Sequence, residues 1–329
     1  MTSLNRRFTV APMLDWTDKH CRYFHRLLTK RAVLYTEMVT TGALLHGQTE
    51  RYLSFNSQEH PLALQLGGSE PNEMAQCSVM AADFGYDEVN INVGCPSERV
   101  QKGAFGACLM AEPQLIADCV AAMQAKVSIP VTVKNRIGID DQEDYAGLQH
   151  FVSTVAEAGC KTFIIHARKA WLKGLSPKEN REIPPLRYEL VYQLKQEFPQ
   201  LEILINGGIT SIEVCQTHLQ HVDGVMVGRE AYQNPWILAE VDQAIYGNTV
   251  TPLDRYAVLE QLLVYIEQQQ AQGGRVSHIG RHILGLFQGL PGARQWRRHL
   301  SEHMHRPEAD LDLFKQAAKK VLDVSPPSL

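Results

Sequence analysis

The chain has 329 residues, 44% of which are hydrophobic, and a formal net charge of −4 at pH 7. This length allows one large barrel with a small appendage, or two ordinary domains, and the composition predicts a globular protein. No apolar stretch reaches the roughly 18 to 20 residues that cross a bilayer, and residues 1–7 lack the apolar core of a signal peptide. We therefore expect a cytoplasmic protein without a membrane segment.

The sequence contains seven cysteines, and none forms a CxxC pair or a Cys/His cluster with zinc-site spacing. Free thiols in a reducing compartment are therefore expected, and no metal site. Cysteines within helical patterns, such as Cys77 and Cys119, are expected to be small buried hydrophobic residues.

Short β-rich segments alternate with helical segments up to residue 248. Strands are predicted at residues 8–13, 33–38, 62–66, 88–93, 131–135, 163–167, 202–206 and 224–228. Helical spacing between them, for example at 73–84 and 113–126, gives a repeated β-α order that favours a parallel sheet. Eight such units within about 230 residues fit a closed (β/α)8 TIM barrel, an α/β fold, better than an open sheet.

The pattern changes after the turn-like sequence that ends at Asn248. Helices are predicted at residues 254–272 and 310–324, with a Gly-rich, Arg-rich stretch between them and no further strand. We therefore predict a barrel catalytic domain at residues 1–248 and a small all-helical domain at residues 249–329.

Positive charge is concentrated in two segments despite the negative net charge. Residues 161–187 contain seven Lys or Arg against two Glu, and residues 271–306 contain six Arg against one Glu. Each segment alone is most simply a solvated face, but the two together suggest a shared anionic partner.

Polar residues occupy the predicted carboxyl ends of the strands, where barrels of this kind build their active sites. They are Met13, Glu37, Gln65, Asn90, Asn92, Lys134, Arg136, His166, Asn206 and Arg229. For any one of them a structural hydrogen bond explains the residue as well as a ligand contact does. Because barrel interiors are normally filled by branched apolar side chains, the whole ring predicts an active site.

Glycines follow strands seven and eight, at Gly207-Gly208 and Gly228, where barrels commonly hold a phosphate. The same glycines also suit an ordinary tight turn. With Lys134 as a fixed cation that could stabilise a reduced flavin, FMN is a sensible candidate for the phosphate-bearing ligand.

Cys95 lies between Gly94 and Pro96 just after strand four, so a turn should present its thiol at the barrel rim. An unperturbed thiol has a pKa of about 8.5 and can donate a proton near neutral pH. A covalent nucleophile, which would need an activating base, and a structural turn residue are the alternatives.

The order of these motifs resembles the tRNA-dihydrouridine synthase family over nearly the whole chain. The resemblance rests on Ala11-Pro12-Met13, Gln65-Leu66-Gly67-Gly68, Asn90-Ile91-Asn92-Val93-Gly94-Cys95-Pro96, Val133-Lys134-Asn135-Arg136, His166-Ala167-Arg168, Asn206-Gly207-Gly208-Ile209 and Gly228-Arg229. The sequence Asn92 to Pro96 is specific to that family, whereas the last two motifs recur in other phosphate-binding barrels. Further motifs, among them Tyr35-Thr36-Glu37-Met38, resemble the A-type bacterial members.

The resemblance implies reduction of the C5–C6 double bond of a uridine in the D-loop of tRNA, at positions 20 and 20a for the A type. NADPH would reduce bound FMN, and Cys95 would be the acid. The FMN-binding residues would be Pro12, Met13, Leu14, Gln65, Lys134, His166, Asn206, Gly207, Gly208, Gly228 and Arg229. Asn92 is the choice for base recognition, because its amide can donate to a uracil carbonyl and accept from N3–H.

The family match further points to Lys178 and Arg181 on a barrel loop, and to Arg294 and Arg297 in the helical domain, as tRNA contacts. Arg294 and Arg297 would share one face of a helix because they are three residues apart. We expect a monomer whose partners are tRNA and NADPH.

Three other functions remain open at this point. A flavin barrel that reduces a free small molecule, of the dihydroorotate or ene-reductase type, would share the FMN residues but would not need Arg294 and Arg297. A phosphosugar isomerase or aldolase-type barrel would need no flavin. A non-catalytic RNA-binding protein would leave the polar ring and the presented cysteine unexplained.

Overall fold

Eight parallel strands close into a barrel in the computed structural model, which describes residues 4–142, 145–249 and 253–322. Each strand pairs with its sequence neighbours, and β8 pairs with β1. The strands are β1 Phe8–Val10, β2 Val33–Thr40, β3 Leu62–Gly67, β4 Glu88–Val93, β5 Val131–Arg136, β6 Thr162–His166, β7 Glu202–Asn206 and β8 Gly224–Val227. The predicted (β/α)8 barrel is confirmed.

Helices follow the strands and continue beyond the last one, as predicted. Those before β8 are α1 Lys19–Leu28, α2 Thr41–His46, α3 Thr49–Leu53, α4 Pro71–Phe84, α5 Glu98–Lys102, α6 Pro113–Gln124, α7 Tyr145–Glu157, α8 Tyr188–Glu197 and α9 Ile212–His218. Those after it are α10 Arg229–Gln233, α11 Ile237–Ala244, α12 Arg255–Ala271, α13 Val276–Gly280, α14 Ala293–His303 and α15 Leu311–Leu322. Short 3₁₀ helices lie at Ser57–Glu59, Gly106–Ala111 and Glu179–Arg181. No helix within the described ranges is both long and apolar enough to span a membrane.

Local chemistry sets the limits of several elements. In α4 the Glu70 side chain accepts the Asn72 and Glu73 amides, Pro71 occupies the first turn, and Gly85 ends the helix at a φ of +96°. The first strand ends earlier than the predicted residue 13. Ala11 N still donates to Val227 O (2.8 Å), but the next residue, Pro12, has no N–H and cannot continue the hydrogen bonds of the sheet.

The described residues form two compact units. The barrel unit comprises residues 4–15 and 32–228, and the helical unit comprises residues 16–31 and 229–322, apart from the undescribed residues. Helix α1 belongs to the helical unit, where it contacts α11, α12 and α13. The domain boundary at Asn248 remains a prediction.

The barrel interior combines an apolar layer with buried polar groups. Tyr35, Ala63, Ile164, Leu204 and Met226 pack together from five different strands. They lie in the same interior as a buried ion pair between Arg6 and Glu88 at 2.6 Å.

The helical unit has its own aromatic core. Tyr23 of α1 stacks on Tyr265 of α12 with ring centroids 3.8 Å apart, and Phe287 packs edge to face on the fully buried Trp296 of α14. Burial of such rings stabilises a small helical unit strongly, because each removes about 150–250 Å² from water.

Candidate active site

The carboxyl ends of the strands bring most of the predicted site residues to one end of the barrel unit. Strand pairing places Asn92 beside Lys134, and His166 beside both Arg136 and Asn206. Residues from β4 to β7 therefore meet at one rim, as expected for a barrel active site.

Lys134 is the central cation of this rim. Its Nζ donates to Asn206 Oδ1 at 3.1 Å, and Asn206 Nδ2 donates to Met226 O at 2.8 Å. Burial, and then the positive charge of Arg136, lower the pKa of Lys134 to about 7, although the nearby Cys95 thiol opposes this. An anionic ligand would raise that pKa again, so the lysine is suited to bind one.

His166 is a neutral imidazole at neutral pH. Burial holds its pKa well below the usual value, and the charges of Arg136, Lys134, Arg168 and Arg181 lower it further. A neutral imidazole within a group of cations can donate to or accept from a ligand while the surrounding charges attract an anion.

The turn after β7 is shaped for close approach to a ligand. Gly207 has a φ of +117° and Gly208 a φ of +70°, and a Cβ on Gly207 would lie 2.8 Å from His166 Cδ2. Tyr188, at the start of α8, donates its hydroxyl to Gly207 O at 2.8 Å and so fixes the turn. Only glycine fits this backbone without strain, which agrees with the predicted phosphate site.

The turns after β1 and β8 lie next to each other. A Cβ built on Gly228 would lie 3.7 Å from Ala11 Cβ and 4.0 Å from Met13 Sδ. Leu14 is 68% exposed beyond them. Pro12, Met13 and Leu14 thus lie at the same rim as the other predicted cofactor residues.

Cys95 is half-exposed in a turn that Asn92 organises. The Asn92 Oδ1 accepts the backbone N–H groups of Gly94 (3.1 Å) and Cys95 (3.0 Å), and Asn92 Nδ2 donates to Gln65 Oε1 at 2.8 Å. The Cys95 thiol lies 3.6 Å from Ser97 Oγ. Cys95 therefore lies in a turn just after β4, as predicted, and presentation of its thiol to a substrate remains a prediction.

Arg136 holds the same turn from the other side. Its Nε donates to Gly94 O at 2.9 Å, and its NH1 donates to Lys169 O at 2.9 Å and to Asn180 O at 3.0 Å. Burial lowers the pKa of Arg136 to about 10, against the influence of the Cys95 thiol, so the guanidinium stays charged near neutral pH. A fixed positive charge beside Cys95 would stabilise the thiolate that remains after a proton is donated.

The other cysteines are buried, unlike Cys95, with the exception of Cys108. Cys21, Cys77, Cys119, Cys160 and Cys215 are buried, as expected for small hydrophobic residues. Cys108 is also half-exposed, but its thiol lies 3.2 Å from Phe105 O, and burial raises its pKa.

The remaining predicted residues lie on exposed surfaces. Lys178 and Arg181 are exposed on the loop after β6, while Arg294 and Arg297 are exposed on α14 in the helical unit. Arg229 is the exposed first residue of α10 in the helical unit. The predicted sharing of a helix by Arg294 and Arg297 is confirmed.

Sequence analysis missed two residues that build the rim. One is Tyr188, which supports the Gly207 turn, and the other is Arg168, whose guanidinium donates to Pro184 O. Tyr188 begins α8 and does not end a strand, so its position in the sequence did not indicate a residue of the rim. Arg168 was noted only as part of a motif and of a basic segment.

These features define a class of protein: a (β/α)8 barrel enzyme with buried cations, a glycine turn and a half-exposed cysteine at the same rim. A family model described as "Dihydrouridine synthase (Dus)" matches residues 9–323. The chain belongs to the dihydrouridine synthase family.

Curated relatives match over nearly their whole length. A tRNA-dihydrouridine(20/20a) synthase of Shewanella oneidensis is 64% identical over 319 residues, which is 97% of this chain and 95% of that protein. Proteins of the same name from Vibrio parahaemolyticus and Shigella flexneri are 62% and 63% identical, over 96% of this chain and 97% and 94% of their own.

Proposed function

We propose that this protein reduces the C5–C6 double bond of uridine in the D-loop of tRNA, at positions 20 and 20a, to 5,6-dihydrouridine. The observation that carries the proposal is the Cys95 turn at the same rim as Lys134 and the Gly207 turn, in a chain that is 64% identical to a tRNA-dihydrouridine(20/20a) synthase. FMN is the proposed cofactor, and NADPH its proposed reductant.

The rim residues fit FMN by their chemistry. The Gly207-Gly208 turn leaves no room for a Cβ, as a phosphate cradle requires, and the cations around His166 suit a phosphate and an anionic flavin. Lys134, His166, Asn206 and Gln65 would hold the ring system, and Gly228 and Arg229 would complete the phosphate site. Met13, with Pro12 and Leu14, would cover the flavin from the β1 turn.

Bound FMN would supply the hydride that adds to uracil C6. Cys95 would donate its thiol proton to C5 from the opposite face, so that the double bond gains one hydride and one proton. Arg136 and Lys134 would stabilise the resulting thiolate until solvent reprotonates it.

Asn92 would recognise the base through donation. Its carbonyl oxygen already accepts two backbone N–H groups, while one N–H of its amide goes to Gln65. The second N–H is the group left for a uracil carbonyl. The sequence also suggested that the Asn92 oxygen accepts a hydrogen bond from uracil N3–H. Such a bond would have to compete with the two that this oxygen accepts from Gly94 N and Cys95 N.

A comparison of acceptors tests the function directly. Purified protein with FMN and NADPH should form dihydrouridine in unmodified tRNA, and mass mapping should place it at positions 20 and 20a. Reduction of free uracil or uridine at a rate equal to that of tRNA would instead support a small-molecule reductase. Protein that stays colourless after FMN is added would contradict the flavin assignment.

Arg294 and Arg297 of α14 are proposed to bind tRNA phosphates, together with Lys178 and Arg181 on the barrel unit. Arg294→Ala with Arg297→Ala should weaken tRNA binding about tenfold and lower the slope of log affinity against log salt by about 2, roughly one for each lost contact. Arg298→Ala is the matched control, because that guanidinium already pairs with Glu302 at 2.7 Å. Equal affinity and equal salt dependence in all variants would contradict the assignment.

Replacing Gly207 with alanine should remove FMN. The new Cβ would lie 2.8 Å from His166 Cδ2 and 3.0 Å from Leu186 Cδ2, so the turn has to shift, and we expect the FMN Kd to rise about tenfold or more. Gly174→Ala is the control, since Gly174 has a φ of +84° but no atom within 4 Å of a Cβ. Fluorescence titration of FMN measures both, and the same loss in the two variants would argue against a specific cradle.

FMN affinity should fall as the pH rises above 7. The pKa of Lys134 is about 7 without ligand, so its cationic fraction declines from pH 7 to pH 9, while the FMN phosphate, with a second pKa of about 6, is already ionised. We expect FMN to bind about tenfold more weakly at pH 9 than at pH 7. Lys134→Met should bind weakly with little pH dependence, and a wild-type Kd that does not change with pH would contradict a cationic role for Lys134.

A further inference from the structure

A continuous line of hydrogen bonds connects the Cys95 turn to a buried carboxylate inside the barrel. This amide chain runs from Cys95 N to Asn92 Oδ1 (3.0 Å), Asn92 Nδ2 to Gln65 Oε1 (2.8 Å), Gln65 Nε2 to Asn90 Oδ1 (2.8 Å), Asn90 Nδ2 to Thr132 Oγ1 (2.8 Å) and Thr132 Oγ1 to Glu88 Oε1 (2.6 Å). Every donor points away from Cys95, so all five bonds have the same direction.

The chemistry of the two ends fixes that direction. The backbone N–H of Cys95 can only donate, whereas the Glu88 carboxylate, paired with Arg6 Nε at 2.6 Å, can only accept. Thr132 must therefore give its single hydroxyl proton to Glu88, which leaves its oxygen as an acceptor for Asn90. The orientations of the Asn90 and Gln65 amides follow in turn. If either amide were flipped, an N–H would face another N–H, or an oxygen would face another oxygen.

The amide chain has a consequence for the rim. Each of its amides has its oxygen occupied, so Asn92 can offer a ligand only an N–H. Bonds of one direction also polarise one another, which strengthens the hold on the Cys95 turn. Thr132, Asn90 and Glu88 are 0% exposed, and Gln65 is 1% exposed, so water does not compete for these bonds.

We propose that Thr132 and Asn90 are positioning residues that fix the Cys95 turn and keep the Asn92 amide oriented as a donor to the substrate base. The proposal rests on the proposed function of Cys95 and extends it to residues at the barrel's interior. Neither positioning residue reaches the rim, and each acts through the next amide in the chain.

The test removes one hydroxyl proton from the chain. Thr132→Val breaks the link between Asn90 and Glu88, and we expect kcat with tRNA to fall about tenfold, which corresponds to about one lost hydrogen bond, while the tRNA KM and the rate of flavin reduction by NADPH change less than about twofold. Thr132→Ser keeps the hydroxyl and should restore kcat. Thr162→Val is the matched control, because Thr162 is also buried but donates to Glu202 (2.7 Å), outside the amide chain.

A second measurement follows the turn itself. In the purified protein without tRNA, the Cys95 thiol of Thr132→Val should react with iodoacetamide about threefold faster than wild type, because a loosened turn exposes it more often. Peptide mass analysis distinguishes Cys95 from Cys108, which provides an internal reference. Asn90→Ala breaks the next link and should give the same two changes, so the proposal stays testable if Thr132→Val does not fold.

The results separate this proposal from the acid role of Cys95. The proposal is overturned if both Thr132→Val and Asn90→Ala leave alkylation and kcat unchanged. It is also overturned if Thr162→Val loses as much kcat as they do, or if Thr132→Ser does not restore kcat. If Cys95→Ala stays active while Thr132→Val still accelerates alkylation, the amide chain supports the turn and the acid role of Cys95 is wrong.

Discussion

Replacing Cys95 with alanine is expected to abolish most dihydrouridine formation while leaving the flavin site intact. A positioned general acid contributes about 10²- to 10⁴-fold to a rate, so kcat with tRNA should fall within that range. The Cys95 thiol contacts Ser97 Oγ, whereas the proposed FMN residues lie on other strands and turns. FMN content and the rate of NADPH oxidation should therefore match wild type.

Cys108→Ala is the control for this experiment, because Cys108 is the other half-exposed cysteine of the described residues. We expect its activity within about twofold of wild type, since the Cys108 thiol contacts Phe105 O and has no part in the proposed proton transfer. Quantifying dihydrouridine by nucleoside mass spectrometry measures both variants. Full activity of Cys95→Ala would exclude the acid role, and loss of FMN from that variant would reassign Cys95 to structure.

Replacing Arg6 with methionine is expected to have the largest effect on stability. Arg6 is 6% exposed and pairs with Glu88 at 2.6 Å and with Glu202 at 2.8 Å. Burial alone would lower the pKa of Arg6, but the two carboxylates raise it above its usual value, so the guanidinium stays charged at any ordinary pH.

Loss of the guanidinium leaves Glu88 buried without a counter-ion. Breaking a buried pair in this way costs about 3–5 kcal/mol in the free energy of unfolding. Arg298→Met is the matched control, because its partner Glu302 and Arg298 itself are mostly exposed, and such pairs contribute about 0–1 kcal/mol. Urea titration by circular dichroism measures both, and equal midpoints in the two variants would contradict a structural role for Arg6.

Periodicity predicted most of the barrel because each strand is buried on both faces. Residues 88–93 and 202–206 were predicted with the limits that the structure shows, since β-branched residues such as Val89, Ile91 and Ile203 recur in these short segments. The glycines at 207 and 208, which suit either a phosphate site or an ordinary tight turn, both have a positive φ. These features depend on a few neighbouring residues, so the sequence contains them directly.

Periodicity could not show which side chains pair across the barrel. Arg6 and Glu202 lie 196 positions apart, and only barrel closure brings them together. The same limit applies to α1, which precedes β2 in the chain but contacts α11, α12 and α13 of the helical unit. A hydrophobic face predicts that a helix packs, but does not identify its partner.

Cys95 shows where the two kinds of information meet. The sequence by itself determined that a thiol follows β4 between a glycine and a proline, in a motif specific to one family, because a turn depends on local backbone chemistry. Asn92 also holds this turn locally, through N–H groups two and three residues further on, but the tertiary structure alone decided that its amide offers a donor, because that orientation depends on the distant Gln65. Glu88, at the far end of those hydrogen bonds, determines the orientation, and the pairing of β3, β4 and β5 places it there.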